Sequence, residues 1–365
     1  MIILPGISLK LKNKAMPKFC SAFQISMAVL LTVIMITGCK KKGNSTTIIT
    51  PPYVPSTEPV QIDSTAVAYY GALSVSGNHI VGADNKPVQL RGMSFFWSQW
   101  IGKYYTNECV KWLKDDWHCN IVRAAMAVEE GGYLTNPDVE KQKVFTVVDA
   151  AIEHGLYVII DWHDHHAFDH EEQAKAFFAE MAQKYGDKPN VIYEPYNEPE
   201  QISWSSIIKP YHQAIIDTIR KYDPDNLIIC GTSTWSQDVD IAAADPLVGT
   251  NIAYTLHFYS GTHKQSLRDK AANALSKGVA LMVTEYGTTD ATGDGDVNMN
   301  ETNLWYAFLD QNKISWCNWS IADKTESSAA LTPGASSSGG WPSNTLTLSG
   351  SFVRSEMKTK NLWFK

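Results

Sequence analysis

The chain has 365 residues, of which 44% are hydrophobic and 19% charged, so it is not a wholly disordered chain and is long enough for one large α/β barrel or two medium domains. Its net charge of −7 argues against a general nucleic-acid binder. Aromatics are 11%, with 12 Trp and 16 Tyr; Trp is the unusual excess, and it points to a surface that stacks on flat ligands.

The first residues read as a leader. Lys10, Lys12, Lys14 and Lys18 form a basic region, and Met27 to Ile36 form an almost wholly apolar one. That run falls well short of the ~20 residues of a transmembrane helix. It ends at Thr37-Gly38-Cys39, the small-residue ending of a secretory signal. The Cys at that point resembles a bacterial lipoprotein signal: residues 1–38 are then removed and Cys39 is the lipidated first residue. An ordinary signal with a chance Cys is the alternative. Residues 39–70 read as a tether, with Pro51, Pro52, Pro55 and Pro59 among Ser and Thr. Lys40, Lys41 and Lys42 stand next to the lipid, where they either hold anionic head groups or simply aid solubility. The localisation implied is export, anchored to a bacterial membrane on its periplasmic or cell-surface face.

A catalytic domain is expected over 71–365. It opens with a β-hairpin at 73–90. Short apolar runs then alternate with helical stretches: strands near 88–93, 120–125, 156–161, 190–194, 226–230, 252–257, 281–285 and 314–317, with helices such as 138–154, 170–185, 204–222 and 263–277. Continuous apolar strands are expected where both sheet faces are covered. Eight such units predict a (β/α)8 TIM barrel. A doubly wound sheet fits less well, because Arg91-Gly92-Met93-Ser94 lacks the glycine fingerprint after the first strand. A long Ser- and Gly-rich loop follows at 323–350, with Trp341 inside it, and a closing helix at 352–363. Cys109, Cys119, Cys230 and Cys317 show no metal-type spacing. Buried thiols and a Cys109–Cys119 pair both remain open.

In such barrels the reacting groups stand at the C-terminal strand ends. Strand two ends at Arg123, strand three at Asp161-Trp162-His163, and strand four runs into Tyr196-Asn197-Glu198-Pro199. Strand six ends at His257-Phe258-Tyr259, strand seven at Glu285-Tyr286-Gly287 and strand eight at Trp316-Cys317-Asn318-Trp319. Glu198 and Glu285 therefore face each other across the mouth, the pair of carboxylates that glycoside hydrolysis needs. Glu194, four extended residues before Glu198, is expected roughly 13 Å deeper, as interior polar packing.

The segments NEP at 197–199, DWH at 161–163, LHFY at 256–259, TEYG at 284–287 and SWCNWS at 315–320 resemble glycoside hydrolase family 5, and its bacterial endoglucanases (cellulases) most closely, over about 73–360. The resemblance implies a retaining double displacement without cofactor or metal. Glu198 matches the acid/base and Glu285 the nucleophile. Arg123 matches an arginine that keeps Glu285 ionised. Glu198, with less cationic neighbours, is expected to hold its proton longer. Asn197 matches the partner of the sugar 2-hydroxyl, and His257 and Tyr259 match residues beside the acid and the nucleophile. His163 matches a wall for the sugar before the cleaved bond and Trp319 a stacking platform. Lys324 and Glu326 match polar sugar contacts, and Trp100 an upstream aromatic. Two departures, Phe95-Phe96-Trp97 after strand one and Ala127 after strand two, bear on distal sugars rather than the cleaved bond.

The partners implied are a β-glucan polysaccharide or oligosaccharide and a membrane reached through the lipid, with no nucleic acid and the protein a monomer. A β-mannanase, xylanase or mixed-linkage glucanase would use the same machinery, and a surface lipoprotein that binds glycans without cutting them is the reading from another class. The run His163, Asp164, His165, His166 and His170 invites a zinc site, but neighbours on a strand end cannot all face one ion. Asp294 and Asp296 read as a turn leading into a helix at Asn300 rather than a calcium loop. No GxSxG elbow for an esterase is present.

Overall fold

In a computed structural model the described residues are 61–364. The leader, Cys39 and the tether up to residue 60 lie outside them. Eight parallel strands close into one barrel: β1 (Arg91–Phe95), β2 (Ile121–Ala127), β3 (Tyr157–His163), β4 (Val191–Glu194), β5 (Ile228–Cys230), β6 (Ile252–Tyr259), β7 (Leu281–Gly287) and β8 (Trp316–Ile321), each hydrogen-bonded to the next and β8 to β1. The intervening helices are α1 (Asn107–Asp115), α2 (Pro137–His154), α3 (Glu171–Tyr185), α4 (Lys209–Ile219), α5 (Val239–Ala244), α6 (Gln265–Ser276), α7 (Met299–Asn312) and α8 (Leu348–Lys360).

Local chemistry starts and stops these helices. Thr106 and Thr347 accept backbone N–H groups at the starts of α1 and α8. Pro137 opens α2, and Gly155 ends it in the left-handed region at φ 68°. Asn298 caps α7, two residues before the expected Asn300. Every residue of β2, β3 and β7 is buried, as expected of strands with packing on both faces. Gly92 is required by close approach: a Cβ there would lie 1.7 Å from the Ile121 carbonyl oxygen on the neighbouring strand.

The core has two main parts. One lies between the strands and the helical ring and includes Val122, Val158, Phe177, Ile215, Leu256 and Trp305. The other fills the N-terminal end of the barrel, where the hairpin Ser74–Ser76 and His79–Val81 places Ile80 and its neighbours Leu73, Val88 and Leu90 against Ile159, Ile229 and Met282. The folded part starts before Gly71: Gln61–Ile62 pairs in parallel with Trp363–Phe364, and Ala66 in the short helix Ala66–Tyr70 is buried. Loop 323–350 is packed rather than free. Leu331 bridges to Leu346, and Trp341 is buried against Tyr104 and Trp117. The four described cysteines are buried free thiols, so Cys109 and Cys119 are not paired.

Candidate active site

Barrel register assembles the site. It sets Arg123 beside Ser94, Asp161 beside Glu194 and Glu285 beside His257. Arg123 is fully buried, and its guanidinium spends every edge on this cluster. Nε donates to Glu194 at 2.7 Å, Nη1 to Glu285 at 2.9 Å and Nη2 to Asn197 Oδ1 at 2.6 Å, with Asp161 2.9 Å from Nη2. The fork geometry of arginine is what allows four partners at once. Glu285 receives a second hydrogen bond from Tyr259 Oη at 2.8 Å, so both of its oxygens are held.

Glu198 is held differently. Its Oε1 lies 2.8 Å from His257 Nδ1, and His257 Nε2 lies 2.8 Å from Thr284 Oγ1, which donates to Glu194 at 2.5 Å. Glu194 is interior polar packing, as expected, but not at the expected depth. β4 ends at Glu194, the chain bends, and both glutamates flank one imidazole, with Glu194 Oε1 3.8 Å from Nε2.

The charges in this cluster follow from these contacts. Burial disfavours a charged imidazole, but hydrogen bonds to Glu194 and Glu198 outweigh it, and His257 is pushed up to about 9. The Glu198 carboxyl feels burial pushing upward, yet the His257 hydrogen bond and charge hold it below the usual range. Burial and the Glu198 charge raise Glu285 against the pull of His257, Arg123 and Tyr259. The expected order of the two carboxyls is thereby corrected. The cationic neighbour of Glu198 is His257, so the proton of the pair rests on the imidazole side. Burial also raises Asp161 well above its ordinary value, even with Arg123 beside it, and it depresses His163, which stays neutral.

The aromatic walls come from β1, β3 and β8. His163 accepts orientation from Asp161 at 2.7 Å and stacks on Trp319 with ring centroids 5.2 Å apart. Trp97 packs edge-on to His163 at 4.1 Å, and Trp100, 54% exposed, continues the row from Trp97 at 5.3 Å. Lys324 pairs with Glu326 at 2.5 Å and lies over the Phe96 ring. Trp97, Trp100, His163, Trp319, Lys324 and Glu326 line one cavity of about 260 Å³. A second cavity of about 500 Å³ is lined by Thr234, Trp235, Gln237, His257 and His263. Both share Glu198, Glu285, Tyr259 and His165, so they form one cleft with the two carboxylates at its middle.

Arg123, Asn197, Glu198, His257, Tyr259 and Glu285 thus come together at this mouth with His163, Trp319, Trp100, Lys324 and Glu326, whereas Trp162, Phe258, Tyr286, Trp316 and Cys317, also read at strand ends, pack into the core. Trp235, Gln237, Thr284 and His263 were missed. The signal for Trp235 is the segment Gly231-Thr-Ser-Thr-Trp235, which directly follows strand five. The histidine run splits up, as expected of neighbours on a strand end. His163 and His165 line the cleft, Asp164 turns inward to His170 at 2.8 Å and to Trp162, and His166 pairs with Glu129 at 3.0 Å. Asp164, His170 and Glu129 do bring ligand-type atoms within 4.8 Å, but His170 hydrogen-bonds Asp164 at 2.8 Å and Glu129 hydrogen-bonds His166 at 3.0 Å, with His170 only 3.9 Å from Glu129.

A closed parallel barrel with paired carboxylates and aromatic walls at its C-terminal mouth defines a glycoside hydrolase of TIM-barrel type. Comparison with known proteins narrows this. The sequence profile described as Cellulase (glycosyl hydrolase family 5) matches residues 81–325. An endoglucanase of Clostridium saccharobutylicum is 48% identical over 309 residues, covering 84% of this chain and 69% of that protein. Endoglucanase Z of Dickeya dadantii is 52% identical over 298 residues, covering 80% and 68%. A structure from Cytophaga hutchinsonii superposes with a TM-score of 0.81 at 58% identity, covering 81% of this chain and 97% of that one. The catalytic domain of a Thermobifida fusca endoglucanase, solved in complex with cellotetraose, gives a TM-score of 0.78 at 36% identity, covering 80% and 99%. The chain belongs to glycosyl hydrolase family 5, as an enzyme of the cellulase class.

Proposed function

We propose that the protein is an endo-acting β-1,4-glucanase that cleaves with retention, Glu198 serving as acid/base and Glu285 as nucleophile. The observation that carries this reading is the separation of the carboxylates: one oxygen of each lies within 4.8 Å of the other, and both within 4.8 Å of a His257 nitrogen. Retaining enzymes hold their carboxyl groups about 5–5.5 Å apart, whereas inverting ones leave room for a water at about 6.5–9.5 Å.

Glu285, oriented by Arg123 and Tyr259, attacks the anomeric carbon while the leaving oxygen takes a proton from Glu198. The His257–Glu198 pair holds that proton, so the pair titrates as a unit rather than Glu198 alone. Loss of negative charge at Glu285 in the glycosyl-enzyme removes one of the charges acting on Glu198. Glu198 then takes a proton from water, the hydroxide oxygen bonds to the anomeric carbon, and Glu285 leaves as carboxylate. Asn197, oriented by Arg123, is positioned for the sugar 2-hydroxyl. Trp319, His163 and Trp100 flank the donor side, and Trp235 the leaving-group side. The Thermobifida fusca relative solved with cellotetraose supports a β-1,4-glucan as substrate.

The test is release of reducing ends from carboxymethyl-cellulose by the protein and by Glu285→Gln. Activity lost in the variant supports both substrate and nucleophile. Activity on mannan or xylan alone overturns the glucan assignment, and binding without cleavage of any glycan overturns the enzyme. We also propose export, anchoring through Cys39 and a monomeric enzyme joined to the anchor by the Pro-, Ser- and Thr-rich segment. Palmitate labelling that Cys39→Ser abolishes supports the anchor, and labelling that survives the change refutes it.

A further inference from the structure

The segment after β5 adopts a conformation that its residues do not favour. Thr234, Trp235 and Ser236 lie at φ 58°, 52° and 58°, three successive non-glycine residues in the left-handed region. No glycine relaxes this run, so contacts must hold it. Three of those contacts go to the segment that carries the acid. Trp235 N–H donates to Pro199 O at 2.8 Å and Thr234 N–H to Glu200 O at 3.0 Å. Ser236 Oγ donates to Asn197 O at 2.7 Å and accepts from Thr232 N–H at 3.3 Å. On its outer side the turn is braced by Asp238, which accepts from Thr234 Oγ1 at 2.7 Å and Lys270 Nζ at 2.6 Å.

The turn presents Trp235, 37% exposed, to the cleft, while Ser236 beneath it is fully buried. Its bonds to residues 197, 199 and 200 bracket Glu198. We propose that Ser236 is a positioning residue that ties Trp235 to Glu198, so that the sugar on the leaving-group side and the carboxyl that protonates its oxygen are held in one rigid unit. This rests on the reading of Glu198 as the acid and of the Trp235 cavity as the leaving-group side. Asn197 is held from both directions, its side chain by Arg123 and its carbonyl by Ser236, so the acid is aligned to the nucleophile and to the leaving group through the same residue. Proton delivery depends on this alignment, because a misplacement of about 1 Å costs on the order of a hundredfold in rate.

The experiment compares kcat/KM for two substrates of the full-length protein: cellopentaose, whose leaving sugar must be protonated, and 2,4-dinitrophenyl β-cellobioside, whose phenolate leaves without a proton. Ser236→Ala removes the hydroxyl and keeps the left-handed penalty. Ser236→Gly removes both. Each is expected to lower kcat/KM for cellopentaose about tenfold and to change the dinitrophenyl substrate less than about twofold. Equal loss on both substrates means a merely structural role and overturns the proposal. So does an unchanged profile, or an effect seen in Ser236→Ala that Ser236→Gly restores. Glu198→Gln separates the proposal from the reading beneath it. That variant should lose cellopentaose activity by about a hundredfold or more and largely spare the dinitrophenyl substrate. If it shows no such dependence on the leaving group, the acid assignment falls and the proposal with it.

Discussion

Replacing His257 by Asn should flatten the alkaline side of the protein's stability curve. His257 is buried between Glu198 and Glu194, and those partners raise it from 6.5 to about 9. A shift of that size corresponds to about 3 kcal/mol. The folded-state value is the higher one, so this stability is fully present below about pH 6.5, where the unfolded imidazole is also protonated, and it is lost as pH rises through about 9. Asn can hydrogen-bond but not titrate. The gap between wild type and His257→Asn in urea unfolding should therefore be largest near pH 6, in the range where the carboxylates are ionised, and should shrink by about 3 kcal/mol by pH 9. Measuring up to pH 9.5 stays below the range of the buried tyrosines, whose hydroxyls burial pushes upward. A gap that stays constant from pH 6 to pH 9 would refute the reasoning, because it would mean that His257 is neutral in the fold and Glu198 is not its charged partner.

Arg123→Met should destabilise the protein by about 3–5 kcal/mol at pH 7, since it removes the guanidinium that buried Glu194, Glu285 and Asp161 share. Burial raises Glu194, but Arg123 and His257 hold it low, so its share of stability is present above about pH 4 and lost as pH falls; the penalty of Arg123→Met should shrink toward pH 3 in thermal unfolding. A penalty independent of pH would count against that account. Gly92→Ala should prevent soluble expression or cost more than about 3 kcal/mol, because its Cβ would fall 1.7 Å from the Ile121 carbonyl oxygen; near-native unfolding would contradict the close approach. Trp100→Ala should raise KM on soluble glucan by about 3–10-fold with kcat unchanged, as expected when an exposed stacking platform is lost and both carboxylates of the cleft are kept. A fall in kcat with constant KM would place Trp100 in the transition state instead.

Strand ends were the most legible part of the site. Arg123, His163, His257 and Glu285 follow directly from reading the polar residues near the end of each apolar run, and Trp319 from the aromatic at the end of the last one, because a parallel barrel places those positions at one mouth. The same reading applied to strand five would have found Trp235. The run of continuous apolar strands, the hairpin plug and the helical ring were legible as well, since they depend on periodicity and turn chemistry. The folded start at Gln61 was not, because its two-residue strand is defined by pairing with Trp363–Phe364 at the far end of the chain. The packed loop around Trp341 was hidden for a related reason: Ser- and Gly-rich composition reports backbone freedom, not the aromatic contacts with Tyr104 and Trp117 that order it.

The sequence by itself determined the architecture and the identity of the two carboxylates, because hydrophobic pattern and strand-end position are local properties of the chain. The protonation order needed the tertiary structure. It rests on His257 standing between Glu194 and Glu198, and on β4 ending at Glu194 so that both reach one imidazole. Charge interactions fall with distance through space and not along the chain, so residues 59 positions apart, such as Glu198 and His257, set each other's charge only once the barrel has closed.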